Sequence, residues 1–338
     1  VWVTDSDSHK GMADADDHLI YFEVEYNSTG NYWYMPNYGG GWFIDWCVGL
    51  APFPGESRPV ADSGGPYVVD EGTAVSFSAA GSTDDDPLRY RWDFDGDGDW
   101  DQSWSSASTA SHTWNDDYSG EVYLEAFDDR LRDTDITTVT VNNVAPTVTP
   151  IGDVIDENEF ATVSGTIYDP GADSFDLTID WGDGTVETFY YAEGTTAFSE
   201  SHQYLDDDPW GTPSDDYTVT LTIEDEDGGV SISSCVVTVN NVAPQVPVTG
   251  DSIYENGVAT VSGTISDPGT LDTFVLMIIW GDGSTVNYVY PSGTTSFSET
   301  HQYLDDDPTG TPADDYSVWL ILNDDDFGLD MKVATVTV

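Results

Sequence analysis

Basic side chains are nearly missing from this chain: 7 Lys and Arg stand against 64 Asp and Glu in 338 residues, a formal net charge of −57. A surface of that sign repels nucleic acid and anionic lipid, so neither is expected as a partner. It calls for cations instead, either monovalent ions in a high-salt medium or calcium held in particular loops. Apolar runs of about 18 residues, the length a membrane helix needs, do not occur, so no membrane insertion is expected. Cysteine is scarce too. Cys47 and Cys235 are too few for a disulfide framework, which leaves a bond between these two or a buried thiol at Cys235. Long 3.6-residue periods are absent, while Thr, Val, Ser, Gly and Asp dominate. No nucleophile elbow, phosphate loop or Ser-His-Asp arrangement can be picked out, and carboxylates are too abundant for any pair to mark acid–base chemistry. The chain is not expected to be an enzyme. It begins at Val1 with neither an initiating Met nor a signal peptide, which reads as a mature or processed segment.

What is abundant is alternation. Leu177, Ile179 and Trp181 share one face of a strand, Thr178 and Asp180 the other, and Gly182-Asp183-Gly184 follows as a tight turn. The pattern returns as Ile278-Ile279-Trp280-Gly281-Asp282-Gly283 and, altered, as Trp92-Asp93-Phe94-Asp95-Gly96-Asp97-Gly98. Asn-Asn-Val-Ala-Pro recurs from Asn142 and from Asn240, its Pro146 and Pro244 lying 98 residues apart. Asp-Pro-Gly (169–171, 267–269) and His-Gln-Tyr-Leu-Asp-Asp-Asp-Pro (from His202 and His301) also recur. A repeat of this length suits one immunoglobulin-type sandwich. The expected organisation is all-β: residues 1–57 as an aromatic-rich β segment and linker, then repeats over 58–144, 145–242 and 243–338.

Residues 58–144 resemble the polycystic kidney disease (PKD) domain family. The matching pieces are Glu71-Gly72-Thr73, Ala79-Ala80-Gly81-Ser82-Thr83-Asp84, Tyr90-Arg91-Trp92-Asp93-Phe94 and Thr138-Val139-Thr140-Val141. The resemblance implies an immunoglobulin-like β-sandwich with a structural or binding role. The two later repeats look PKD-like as well, and their Asp-Pro-rich insertion resembles tandem repeats of very large bacterial surface proteins.

Residues 1–57 include an alternating run at 18–26 and a crowd of aromatics at Tyr32, Trp33, Tyr34, Tyr38, Trp42, Phe43 and Trp46. So short a segment buries little surface alone, so it is expected to order against the first repeat or another chain. Its aromatics suit a core, with a glycan-binding platform as the alternative. Asn27-Ser28-Thr29 is an N-glycosylation sequon.

The densest metal candidate is Asp93, Asp95, Asp97, Asp99 and Asp101, alternate carboxylates around glycine turns that suit calcium. Trp104 stands where an EF-hand loop would carry its bidentate Glu. Asp225, Asp227, Asp324 and Asp326, just before the last strands of two repeats, are further calcium candidates near the repeat junctions. His202 and His301 lack partners at zinc spacing, so a fold role at a strand start is expected. On the outer face of the third repeat, Met277, Ile279, Trp319 and Ile321 replace Thr178, Asp180, Thr220 and Thr222 of the second, as burial against another chain or the N-terminal aromatic segment would require, with cover by the repeat's own long loop as the alternative. Together these features point to an extracellular, calcium-stabilised structural protein: a surface stalk, or the self-associating subunit of a filament or sheath. The alternatives are a carbohydrate-binding accessory region of a secreted hydrolase or adhesin and a haloadapted surface protein.

Overall fold

The computed structural model describes residues 57–207, 211–306 and 311–338, together with the backbone of strands 8–15, 18–27 and 32–34. Near the N-terminus, β1 (Ser8–Ala15), β2 (His18–Asn27) and β3 (Tyr32–Tyr34) form one antiparallel sheet. The side chains of this segment, the Asn27 sequon, the aromatic cluster and Cys47 lie outside the described residues.

From residue 57 onward the described residues fold into three pairs of sheets, each around its own apolar core. Sandwich 1 contains β4 (Tyr67–Asp70), β5 (Ala74–Ser78), β6 (Arg89–Asp93), β7 (Thr109–Thr113), β8 (Tyr118–Phe127) and β9 (Arg132–Asn142). Its sheets are β4-β9-β8-β6 and β5-β7. Sandwich 2 contains β10 (Thr147–Ile151), β11 (Val154–Asp156), β12 (Phe160–Tyr168), β13 (Phe175–Asp180), β14 (Val186–Tyr191), β15 (Ala197–Gln203), β16 (Ser214–Asp225) and β17 (Val230–Asn240). Sandwich 3 repeats it with β18 (Val248–Thr249), β19 (Asp251–Ser252), β20 (Val258–Thr264), β21 (Phe274–Ile279), β22 (Thr285–Tyr290), β23 (Ser296–Gln302), β24 (Asp315–Asn323) and β25 (Leu329–Thr337). Both have a three-stranded sheet, β10-β12-β15 or β18-β20-β23, opposed by a five-stranded one, β11-β17-β16-β13-β14 or β19-β25-β24-β21-β22. Among the described residues no helix is long and apolar enough to cross a membrane.

The alternation read from the sequence explains the cores. Phe175, Leu177 and Ile179 of β13 are buried while Asp176 and Asp180 are exposed. Trp181 follows, fully buried, and the chain then reverses through Gly182 and Gly184 at φ 85° and 95°, a region where a side chain is strained. Tyr204 donates from its hydroxyl to the Trp181 carbonyl at 2.8 Å, and the His202 ring stacks on Trp181 at 5.0 Å. His202 Nε2 lies 2.7 Å from Asp183 Oδ2, so the histidine ties the turn to the neighbouring sheet. Trp280, Asp282, His301 and Tyr303 repeat the set in sandwich 3. The expected fold role holds, but the position is corrected: each histidine is the last residue but one of its strand, because the preceding run from residue 197 or 296 already pairs in the sheet.

Candidate metal centres at the sandwich junctions

Strand β4 pairs in parallel with β9, Asp70 opposite Asn142, so Glu71 emerges where β9 runs into the linker. Glu71 Oε1 accepts a hydrogen bond from the Val144 amide at 2.8 Å. Sandwich 2 approaches from the other side. Asp225, closing β16, accepts from the amides of Gly229 and Asp227, and both its oxygens accept from Asn143 Nδ2 at 3.1 Å. The loop from β12 to β13 adds Asp169, whose Oδ1 accepts from the Gly171 amide, and Asp173. Oxygens of Glu71, Asp169 and Asp173 lie within 4.8 Å of one another.

The next junction repeats this plan. Glu157 follows β11, which pairs in parallel with β17, and its Oε1 accepts from the Val242 amide at 2.9 Å. Asn241 Nδ2 donates to Asp324 Oδ2 at 3.2 Å, and Asp324 Oδ1 accepts from the amides of Asp326 and Gly328. Oxygens of Glu157, Asp267 and Asp272 gather within 4.8 Å of one another, as do those of Glu157, Asp206 and Asp207. A methyl group at Gly269 would collide with carboxylate oxygens of Glu157 and Asp272, and one at Gly171 with Glu71 and Asp173. The missing Cβ leaves room for the carboxylates to converge.

These groups are deeply buried and short of partners. Glu71, Glu157, Asp173 and Asp272 are each 1% exposed. Glu71 Oε2, Asn143 Oδ1, Asp169 Oδ2 and both Asp173 oxygens are buried and receive no hydrogen bond. At the second junction the same holds for Glu157 Oε2, Asn241 Oδ1, Asp267 Oδ2 and both oxygens of Asp207 and Asp272. Burial, reinforced by neighbouring carboxylates, pushes the Asp173 carboxyl up to about 7, Glu157 to about 8 and Asp207 to about 7. Asp272 is raised for the same reasons, beside Glu157, Asp267 and Asp206.

Of the calcium candidates named from sequence, Asp225 and Asp324 stand inside the junctions, each held by the linker asparagine. Asp326 is buried at the second junction, and Asp227 stays exposed near Asp116 and Asp117 at the first. In the Asp93 loop, Asp93, Asp95 and Asp101 bring oxygens within 4.8 Å. Asp93 accepts from the amides of Gly96 and Gly98, and Asp101 from that of Phe94, so these two also hold the turn. Asp97 accepts from the Asp99 amide. Cys235 is half-buried against the sandwich 2 core with its thiol pKa raised by burial, and has no disulfide partner among the described residues.

Sequence reasoning missed Glu71, Glu157, Asp169, Asp173, Asp267, Asp272 and the amides of Asn143 and Asn241. The signal was in hand: both Asp-Pro-Gly and Asn-Asn-Val-Ala-Pro recur at the same spacing, one on each side of every junction.

No curated protein matches. Among solved structures, the chain is similar to a tetra-tandem repeat in the extending region of a large adhesion protein: 16% identity, 98% of this chain, 90% of that chain, TM-score 0.39. It is also similar to a two-domain fibronectin type-III segment of chicken tenascin (14% identity, 58% of this chain, 100% of that one, TM-score 0.33). A third is Bacteroides ovatus SGBP-B, solved with a mixed-linkage heptasaccharide (14% identity, 83% and 70% coverage, TM-score 0.23). The PKD domain model matches residues 56–141, the stretch of sandwich 1 with its lead-in.

Proposed function

We propose that this chain is an extracellular structural segment of a surface or adhesion-type protein, a stiff spacer of sandwiches joined end to end that meets a second copy of itself through its third sandwich. The observation that carries the reading is the junction. Units joined only by a flexible linker would keep their polar ends in water, whereas Glu71 and Glu157 are buried by the next sandwich and hydrogen-bonded to the linker. At the far end of sandwich 3 the corresponding Glu255 is exposed, with no further sandwich against it among the described residues.

A non-catalytic role fits the chemistry. Asp282 Oδ2 and Ser284 Oγ both address Nε2 of His301, whereas a catalytic triad needs them on opposite ring nitrogens. Calcium at the Asp93 loop belongs to the same reading, as a clamp within sandwich 1.

For the contact between copies, Met277 pairs with Ile321 and Ile279 with Trp319 across β21 and β24, and Trp319 is 46% exposed. Met331 and Val333 extend the patch on β25. On so acidic a surface, this face is where two copies approach without opposing carboxylates. Small-angle scattering tests the spacer: one extended conformer is expected, and a broad distribution of compact shapes would refute it. Light scattering tests the contact. Trp319→Thr with Ile321→Thr restores the residues of sandwich 2 and is expected to weaken self-association at least tenfold; unchanged association rules this face out.

A further inference from the structure

We infer that each junction is a binding site for a divalent cation of the calcium class, with ligands supplied by both sandwiches and the linker between them. The first set is Glu71, Asn143, Asp169, Asp173 and Asp225. The second is Glu157, Asn241, Asp267, Asp272, Asp207 and Asp324. The inference deepens the spacer reading and rests on it, because a cation shared by two sandwiches fixes their relative orientation.

The donor chemistry selects the ion. Every candidate ligand is a carboxylate or amide oxygen, and neither histidine nor cysteine takes part, which suits hard cations and disfavours zinc or copper. Calcium takes about six to eight oxygens and tolerates irregular geometry, whereas magnesium demands a near-octahedral shell and retains water. The first junction offers five buried oxygens that receive no hydrogen bond, and the second offers seven.

The second observation is the burial of those oxygens. A carboxylate taken from water with neither a hydrogen bond nor an opposite charge is strongly disfavoured. Both oxygens of Asp173, Asp207 and Asp272 are in that condition, and no lysine or arginine pairs with them among the described residues. Asp116, Asp117 and Asp227 also bring oxygens within 4.8 Å of one another, but they stay exposed to water. The junction groups are instead walled in, aimed at one another and given space by Gly171 and Gly269. A bound cation supplies the missing partner for all of them at once, and the protons that the buried acids would otherwise hold are released on binding.

Crossing the junction is what makes this more than a loop site. Glu71 belongs to sandwich 1 and Asp169 and Asp173 to sandwich 2; Glu157 belongs to sandwich 2 and Asp267 and Asp272 to sandwich 3. Separation of either pair of sandwiches would dismantle its site, so binding and docking are linked.

The test is isothermal titration of calcium into the full chain, stripped with chelator and held at constant ionic strength. Wild-type chain is compared with Glu157→Gln/Asp272→Asn and with Glu71→Gln/Asp173→Asn. Each double change keeps shape while replacing two carboxyl groups by neutral amides, so the folded state is retained without metal. Each is expected to lose one tight equivalent of calcium, and the four changes together to lose two. Unchanged stoichiometry in the double variants, or no saturable binding by wild-type chain, overturns the inference. Scattering on the same samples separates the two claims. No calcium binding by a chain that is still one extended conformer refutes the metal sites alone; binding without any change in flexibility upholds the sites and refutes their stiffening role.

Discussion

At the first junction the acidic pair Asp116–Asp117 lies exposed at the tip of a short loop, and Asp227 opposite it is exposed as well. At the second, the counterparts turn inward: Asp207 is fully buried and Asp326 is 2% exposed. The difference traces to the Asp-Pro-rich insertion that sandwich 2 carries and sandwich 1 lacks. It brings Gly211 and Thr212 to the junction, where their amides donate to Asp326 Oδ1, at 2.5 Å for Gly211. It also delivers Asp207 beside Glu157. Sandwich 3 answers with the Thr270 amide donating to the Leu205 carbonyl. The insertion therefore encloses the junction, and more enclosure means more buried charge to neutralise. One plan yields a lightly closed and a fully closed version.

The comparison gives graded expectations. The largest effect is expected from removing the second site with Glu157→Gln/Asp272→Asn. A ligand at about 100 times its Kd stabilises the native state by roughly 2.7 kcal/mol, and calorimetry should find that contribution gone from the transition involving sandwiches 2 and 3. The equivalent pair at the first junction should cost less at equal calcium, because fewer oxygens converge there. Equal losses would mean that the insertion adds nothing.

Gly269→Ala should come next, at about 1–3 kcal/mol for forcing a methyl group against the Glu157 and Asp272 carboxylates. The calcium concentration needed for half saturation should rise, more than for Gly171→Ala, as read by titration.

A smaller effect concerns pH. Glu157 at about 8, Asp207 at about 7 and Asp173 at about 7 are raised above ordinary carboxyl values, so the folded state holds protons that the unfolded chain has lost. Stability of the chelated protein is then greatest near pH 4 and falls as pH rises toward 8. Thermal scans in chelator should follow that slope, more steeply for the second junction than the first, and saturating calcium should flatten it. A midpoint that rises with pH in chelator would contradict the assigned protonation.

The smallest change is Asn143→Ala or Asn241→Ala, each removing the linker amide from its aspartate at about 1 kcal/mol, measured by the same scans. Asn241→Ala should be the more damaging, since Asn241 also donates to the Asp326 carbonyl.

Much of the fold was legible because strands and tight turns are local. Alternation placed Leu177, Ile179 and Trp181 inside, the Gly-Asp-Gly turn marked the reversal, and Met277 and Ile321 fell on one outer face of two neighbouring strands, where the structure pairs them. The junctions were legible only by halves. Asp225 and Asp324 stood out as acidic loops, but Glu71 reads as part of a PKD opening and Asp173 as an ordinary loop acid. What unites Glu71 with Val144 and Asp173 is the parallel pairing of β4 with β9 and the seating of one sandwich on the next, neither of which leaves a local period. The Asp93 loop drew attention for the opposite reason: its acids are close in sequence, and several of them cap amides of their own turn.

The most direct test of cation-linked docking is a distance measurement across the second junction. Spin labels at Ser199→Cys and Ser298→Cys, equivalent exposed positions on β15 and β23, would be placed in a chain with Cys47→Ser and Cys235→Ser. Pulsed electron resonance should give one narrow distance distribution in calcium and a distinctly broader one in chelator. Distributions of the same width in both would contradict the account.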